Sequence, residues 1–276
     1  MQRVSGLSFD QLLQQNILDR LKLKNMAFLP VKGDKNQSLR YSLNYAGQLT
    51  FVGITEHPGP DGGMESSVAD LDTFYDRLFN SNVLLSAKGI ETLKQINNKT
   101  DKWRAYGGGI GISSAYELDF ASGYSVTVLS NSDKLVAEII STRIIDFVRK
   151  GSYDKVKANA NIFAYNLYKS KGLAYFKEHF ADQYTQAGYS GFNGRVINEV
   201  GMALSADGHH AQAFDFFNTL VFLYPKAAQA YDSLAWGYAQ SGDVKRAKAV
   251  FSKALAINPD FSSEYSVDNY GVRSSE

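Results

Sequence analysis

Few residues in this chain have types and spacings suited to chemistry. Ser152-Tyr153-Asp154-Lys155 is the sequence's only serine followed three residues later by a lysine. On a helix that spacing sets an amine one turn from a hydroxyl, where it can share the proton of a serine nucleophile. In this context the four residues read as a helix N-cap followed by a surface lysine. Ser42-Leu43-Asn44 has the hydroxyl and amide of a second proton relay, but reads as a turn. His57-Pro58-Gly59 reads as a loop. His209-His210 has no partner at metal-ligand spacing and falls between two helical patterns, so it reads as solvated. With no cysteine in the chain, disulfides, thiol catalysis and Cys-ligated metal are excluded. No metal and no cofactor are expected.

The elements that would position any site start from a glycine-rich run. Gly107-Gly108-Gly109 and Gly111 precede an alternating stretch, Tyr116, Leu118 and Phe120. Ala121-Ser122-Gly123 then makes a turn, and Tyr124, Val126 and Val128 alternate again, so a β-hairpin is predicted. The glycines read as a tight loop feeding that hairpin, or as a place where another backbone or a ligand comes close. Ser132 or Asp133 is the expected cap of a helix over 133–149, with Val136, Ile140, Ile144, Phe147 and Val148 on its apolar face and Gly151 as its stop. Upstream, residues 8–21 read as an amphipathic helix capped by Ser8, with Phe9, Leu12, Leu13, Ile17 and Leu21 in one stripe. Ser66 to Asn80 reads as another, with a capping-box-like pair at Ser67 and Asp70. Residues 31–62 are turn-rich, with short strands such as Tyr45 to Val52.

Gly107, Gly108, Gly109, Gly111, Ile112, Ser113 and Ser114, then Val126, Val128, Leu129, Ser130 and Asn131, lie in the order of a known pattern. They resemble H-G-G-G-A-P-G-(I/F)-S-S followed by V-V-V-L-S-N, from the class C-related branch of the serine β-lactamase and penicillin-binding-protein superfamily. Tyr106 stands where that family has His, and Ile110 stands for its A-P pair. The run from Val4 to Pro30 and Gly62-Gly63-Met64 through Ser86 also resemble family segments. An extra strand that the family places between Leu93 and Tyr106 looks deleted. The resemblance implies a substrate-binding strand at Tyr106, Gly107, Gly108 and Gly109. It also implies that the S-x-x-K nucleophile and the Y-x-N relay precede Met1. Ser152 lies on the wrong side of the hairpin for that role, and Ser42 and His57 are out of order. A tyrosine can donate a hydrogen bond there, but is a poor cation at neutral pH.

The last third of the chain repeats. Pro225 and Pro259 lie 34 residues apart, and Gly201/Ala235, Leu204/Tyr238, Ala213/Ala247 and Phe217/Phe251 coincide at that offset. The pattern resembles the tetratricopeptide repeat, with the second copy the more specific. The first helix of each such pair lines a concave face suited to peptide docking. By register Arg195, Asn198, Met202, Asp232, Trp236 and Gln240 face it. Trp236 is then either buried against residues 152–187 or a ligand anchor.

The expected fold class is α+β: a partial β-lactamase-like domain (1–150) with an antiparallel sheet, a helical connector (151–193) and an all-α repeat module (194–276). The expected function is the C-terminal part of a serine hydrolase that is inactive alone, joined to an interaction module. The alternative is a complete, non-catalytic scaffold. The net charge of +1 implies no nucleic-acid partner, and no apolar run is long enough to span a membrane. A protein or peptide partner is expected at the repeats. An N-terminal complementing segment or a homodimer is expected at Tyr124 to Ser130, an apolar strand that would lack a neighbour. A complete chain without a leader points to the cytoplasm; a piece of a longer precursor points to the periplasm or secretion.

Overall fold

The structure, a computed structural model, describes residues 2–28, 37–53, 59, 62–96, 101–133, 135–263 and 265. The chain packs as two units: residues 1–43 with 49–156, and residues 157–276 with the turn 44–48. His57 and Pro58 lie outside the described residues.

The first unit opens with a single turn, α1 (Gln2–Ser5). Ser8 then caps α2 (Phe9–Leu13) reciprocally: its hydroxyl accepts from the Gln11 N–H at 3.2 Å, and the Gln11 side chain accepts from the Ser8 N–H at 2.9 Å. The helix widens into a π-helical turn, Gln14–Leu18, before α3 (Asp19–Leu21). That turn rotates the apolar stripe, so Leu18 is buried with Leu23 and Met26, while Leu13, Ile17 and Leu21 pack around them. Four three-residue strands follow: β1 (Met26–Phe28), β2 (Tyr41–Leu43), β3 (Leu49–Phe51) and β4 (Met64–Ser66). β1 pairs with β4 and β2 with β3, both antiparallel. Helix α4 (Val68–Asn80) is capped by Ser67, whose hydroxyl accepts from the Asp70 N–H. The Asp70 carboxylate does not return the bond to Ser67; it accepts from the Asn25 N–H. α5 (Ala87–Ile96) follows.

A three-stranded antiparallel sheet, β5 (Lys102–Gly109), β6 (Ile112–Asp119) and β7 (Ser125–Ser130), has the order β5-β6-β7. The hairpin β6–β7 matches the predicted one. The glycine run is not a loop, because Gly107, Gly108 and Gly109 are the last residues of β5 and pair with Ser114, Ser113 and Ile112. Residues 102–105, where no strand was expected, are its first half. Gly111 makes the turn at φ 76°, and a Cβ there would lie 2.9 Å from the Arg40 Cβ and 3.0 Å from the Tyr41 nitrogen. Close approach of another backbone thus explains this glycine: the Tyr41 N–H donates to the Asn131 carbonyl at 2.9 Å and reaches the Gly111 carbonyl at 3.3 Å.

Both faces of β6 are covered. Tyr116 and Leu118 are buried with Phe79 and Ile90, and Tyr75 stacks on Tyr116 at 3.9 Å. The other face meets α6 (Val136–Lys150), which Gly151 ends in the left-handed conformation. Two expectations for α6 fail. Neither Ser132 nor Asp133 caps it; Ser113 on β6 accepts from the Ala137 N–H at 3.1 Å, and Asp133 accepts from Ser42 at 2.7 Å. Its inward face carries Ala137, Ser141 and Ile145, while Ile140, Ile144, Phe147 and Val148 are exposed. The reason is chemical. The sheet face beneath α6 carries Glu117 and Asp119, so the residues that neutralise them must point inward.

At the end of the first unit, Ser152 does not cap a helix. Residues 152–159 have no regular structure, and Asn159 caps α7 (Ala160–Gln186) by accepting from the Asn161 N–H. α7 breaks at Gly172, φ 81°. Two helix pairs follow, α8 (Asn193–Ala206) with α9 (His210–Leu223), and α10 (Ala228–Gln240) with α11 (Val244–Ile257). Phe176, Phe180 and Tyr184 recur every fourth residue on α7 and close the core with Val196, Ile197, Val200, Leu204, Phe216 and Phe217. Burying one such side chain contributes about 1.5–3 kcal/mol. Phe217 lies between Gly201 and Gly237; a Cβ on either would come within 2.8 Å of its ring.

Candidate functional site

The residues predicted to share the concave face come together. Asn198 and Met202, one turn apart on α8, touch through the Asn198 Nδ2 and the Met202 Sδ at 3.5 Å. Asp232 and Trp236, one turn apart on α10, stand beside them. Asp232 is fully buried, and Trp236 is half-buried with its ring 6.2 Å from that of Phe217. The first and last of the six register positions stay outside: Gln240 is exposed, and Arg195 pairs with Glu199 at 3.8 Å. Besides Phe217, the Trp236 ring meets Tyr265, at 5.7 Å between centroids.

The groove is therefore filled, and by the segment that follows α11. The Ser263 hydroxyl donates to the Asp232 carboxylate, 2.8 Å from one oxygen and 2.9 Å from the other. The Tyr265 hydroxyl donates to the Met202 sulfur at 3.4 Å and accepts from the Asn198 amide at 3.3 Å. The Asn198 Oδ1 is buried without a hydrogen-bond partner among the described residues. The groups gathered here are one carboxylate acceptor, one amide, a thioether and an indole face, all carried on helices.

The second candidate, Tyr106 with Gly107, Gly108 and Gly109, lies along β5 opposite Ala115, Ser114, Ser113 and Ile112. The Tyr106 hydroxyl donates to the Glu117 carboxylate at 3.0 Å. Burial and the neighbouring Glu117 charge push its pKa up, so it stays a neutral donor. Glu117 also accepts from Ser141 and Thr142, each at 2.8 Å, and from Arg104 at 3.0 Å. Burial raises the Glu117 pKa, but these hydroxyls, Arg104 and Tyr106 outweigh it and hold the carboxyl below the ordinary glutamate value. Asp119 is held far below its ordinary value by its hydrogen bonds to Arg149, against the opposing effect of burial. Carboxylates so fully paired are weak bases, and the network reads as structural. The nearest hydroxyls are also engaged: Ser113 donates to the Ser132 carbonyl and Ser114 to the Gly107 carbonyl. Ser152 and Lys155 are exposed in a segment without regular structure.

Residues 228–261 match the family model of the tetratricopeptide repeat. Among solved structures, the chain is similar to the octameric penicillin-binding protein homologue from Pyrococcus abyssi, with a TM-score of 0.48 and 18% identity over 61% of this chain. It spans 43% of that protein's chain. No curated protein sequence matches. The repeat resemblance drawn from the motifs thus has a counterpart in a known family.

The matched repeat covers α10, α11 and Phe261, which packs near Phe251. Ser263 and Tyr265 lie beyond it, and periodicity could not place them: they follow Pro259 in a stretch with no helical or strand pattern. Glu117 and Asp119 were missed because they alternate with Tyr116, Leu118 and Phe120, which reads as one wet face. Among the described residues no group of three or more His, Cys, Asp or Glu is placed to hold a metal, and no helix is long and apolar enough to cross a membrane. His210 approaches the Ser205 hydroxyl at 3.3 Å.

Proposed function

We propose that this chain is a non-catalytic binding module: the C-terminal part of a serine β-lactamase-related hydrolase joined to tetratricopeptide repeats that dock a peptide. The observation that carries the reading is the meeting of Asn198, Met202, Asp232 and Trp236 around Ser263 and Tyr265. A surface that already takes up Ser263 and Tyr265 has the polar groups to hold others. The hydrolase half rests on the order of motifs along residues 4–131. Its nucleophile and Y-x-N relay would be supplied from outside these residues. Within them, the S-x-x-K spacing at Ser152 falls in an exposed, irregular segment, and the Tyr106 hydroxyl is already bonded to Glu117.

Two surfaces support complementation by a separate segment or a second copy. Among the described residues β7 pairs only with β6, and Ile140, Ile144 and Phe147 of α6 are exposed. The test of the catalytic half is direct. The chain is expected to hydrolyse nitrocefin and p-nitrophenyl esters no faster than buffer, and to resist a fluorophosphonate probe. Stoichiometric labelling by that probe, or by a penicillin, overturns the reading.

A further inference from the structure

We propose that the groove between α8 and α10 recognises a protein segment with a hydroxyl side chain two residues before a tyrosine, and that this chain's own Ser263 and Tyr265 occupy it in cis as a displaceable stand-in. The inference rests on the docking reading above and goes beyond it by naming the ligand's chemistry and its built-in competitor.

Three features define the ligand. First, Asp232 is a fully buried carboxylate, and the Ser263 hydroxyl donates to both of its oxygens. A carboxylate in that position selects a short donor and rejects an acidic side chain. Second, the Tyr265 ring lies on Trp236 while its hydroxyl bridges Asn198 and Met202. An aromatic body with a polar tip meets both needs; phenylalanine would leave the Asn198 donor without its oxygen. Third, the spacing is set locally, because the Ser263 hydroxyl accepts from the Tyr265 N–H at 3.1 Å. That turn presents the hydroxyl and the ring to α10 and α8 together.

The cis segment is also an imperfect occupant. It leaves the Asn198 Oδ1 buried and unmet among the described residues. A partner segment that brings an N–H or hydroxyl to that oxygen satisfies one acceptor more than the tail does, and so can displace it. The tail then acts as a threshold: ligand binds only in the fraction of molecules whose groove is open.

The test uses a fluorescent peptide of residues 259–268 and three forms of the full chain: unaltered, Ser263→Ala with Tyr265→Ala, and Ser263→Glu. The glutamate sets a second carboxylate against Asp232 and should release the tail without removing Tyr265. Both altered chains are expected to bind the peptide at least about tenfold more tightly than the unaltered chain. Adding Asp232→Asn or Trp236→Ala to either should abolish that gain, with the helical circular dichroism unchanged. Equal binding by all three forms overturns the cis competition. Binding by none overturns the proposed ligand; peptides of other sequence selected from a display library and dependent on Trp236 would then leave the docking reading standing.

Discussion

Asp119 and Arg149 show how a single pair decides local structure. Asp119 is almost wholly buried, and the Arg149 Nη2 lies 2.6 Å from its Oδ1. Replacing Arg149 by alanine leaves a buried charge with only the Ala121 N–H and its loop neighbours, so Arg149→Ala should destabilise the first unit by about 3 kcal/mol or more. Chemical denaturation would measure it; a loss below about 1 kcal/mol would show that water reaches Asp119. The same pairs set a pH dependence. The folded pKa values of Glu117 and Asp119 lie below their ordinary values, so their contribution is complete above the unfolded carboxylate values near pH ~4. It is lost as pH falls below that, because the unfolded state then binds more protons. Unfolding of the first unit followed from pH 6 to 2 should therefore steepen below about pH 4. Glu117→Gln with Asp119→Asn should flatten that slope, and an unchanged slope would assign acid sensitivity to other groups.

At the scale of elements, the hairpin β6–β7, the caps at Ser8 and Ser67, and the repeat helices were legible from the sequence because each rests on local spacing. The inward face of α6 was not. Ile140, Ile144 and Phe147 form the stronger apolar stripe, but the face that meets β6 must answer two carboxylates, and tertiary electrostatics overrode local hydrophobicity. The groove was legible only in half. Helical register placed Asn198, Met202, Asp232 and Trp236 together, whereas the segment that fills the groove follows Pro259 and carries no period. The repeat packing gives its own prediction. Ala235 and Ala247 are fully buried, and Gly237 faces the Phe217 ring. Ala235→Leu should overpack the contact between α10 and its neighbours and cost about 1–3 kcal/mol. Gly237→Ala should act in the same direction, because the Phe217 ring, held on its other side by Gly201, has nowhere to move. An unchanged melting temperature for Ala235→Leu would remove the assigned register.

For the whole molecule the open question is association. β7 runs from Ser125 to Ser130 without a charge or proline, and among the described residues only β6 pairs with it. Its outer edge is a template for another strand. The chain should therefore be poorly soluble or self-associate, and Thr127→Lys should return a monomer in light scattering. Thr127 donates to Asp72 at 2.9 Å, so a lysine there keeps an acidic neighbour. Amide exchange showing Val126 and Val128 protected on both sides by a neighbour from within this chain would remove the open edge as the cause.

The claim on which the rest depends is that the repeat groove is a recognition site already filled by the chain's own segment. The sequence has two tryptophans, and Trp103→Phe leaves Trp236 as the single reporter inside the groove. In that background the emission of Trp236 should move to the red, and its quenching by acrylamide should rise, when Ser263 and Tyr265 are both changed to alanine. Added peptide 259–268 should reverse both changes. Emission and quenching that stay the same with and without Tyr265 would contradict the account.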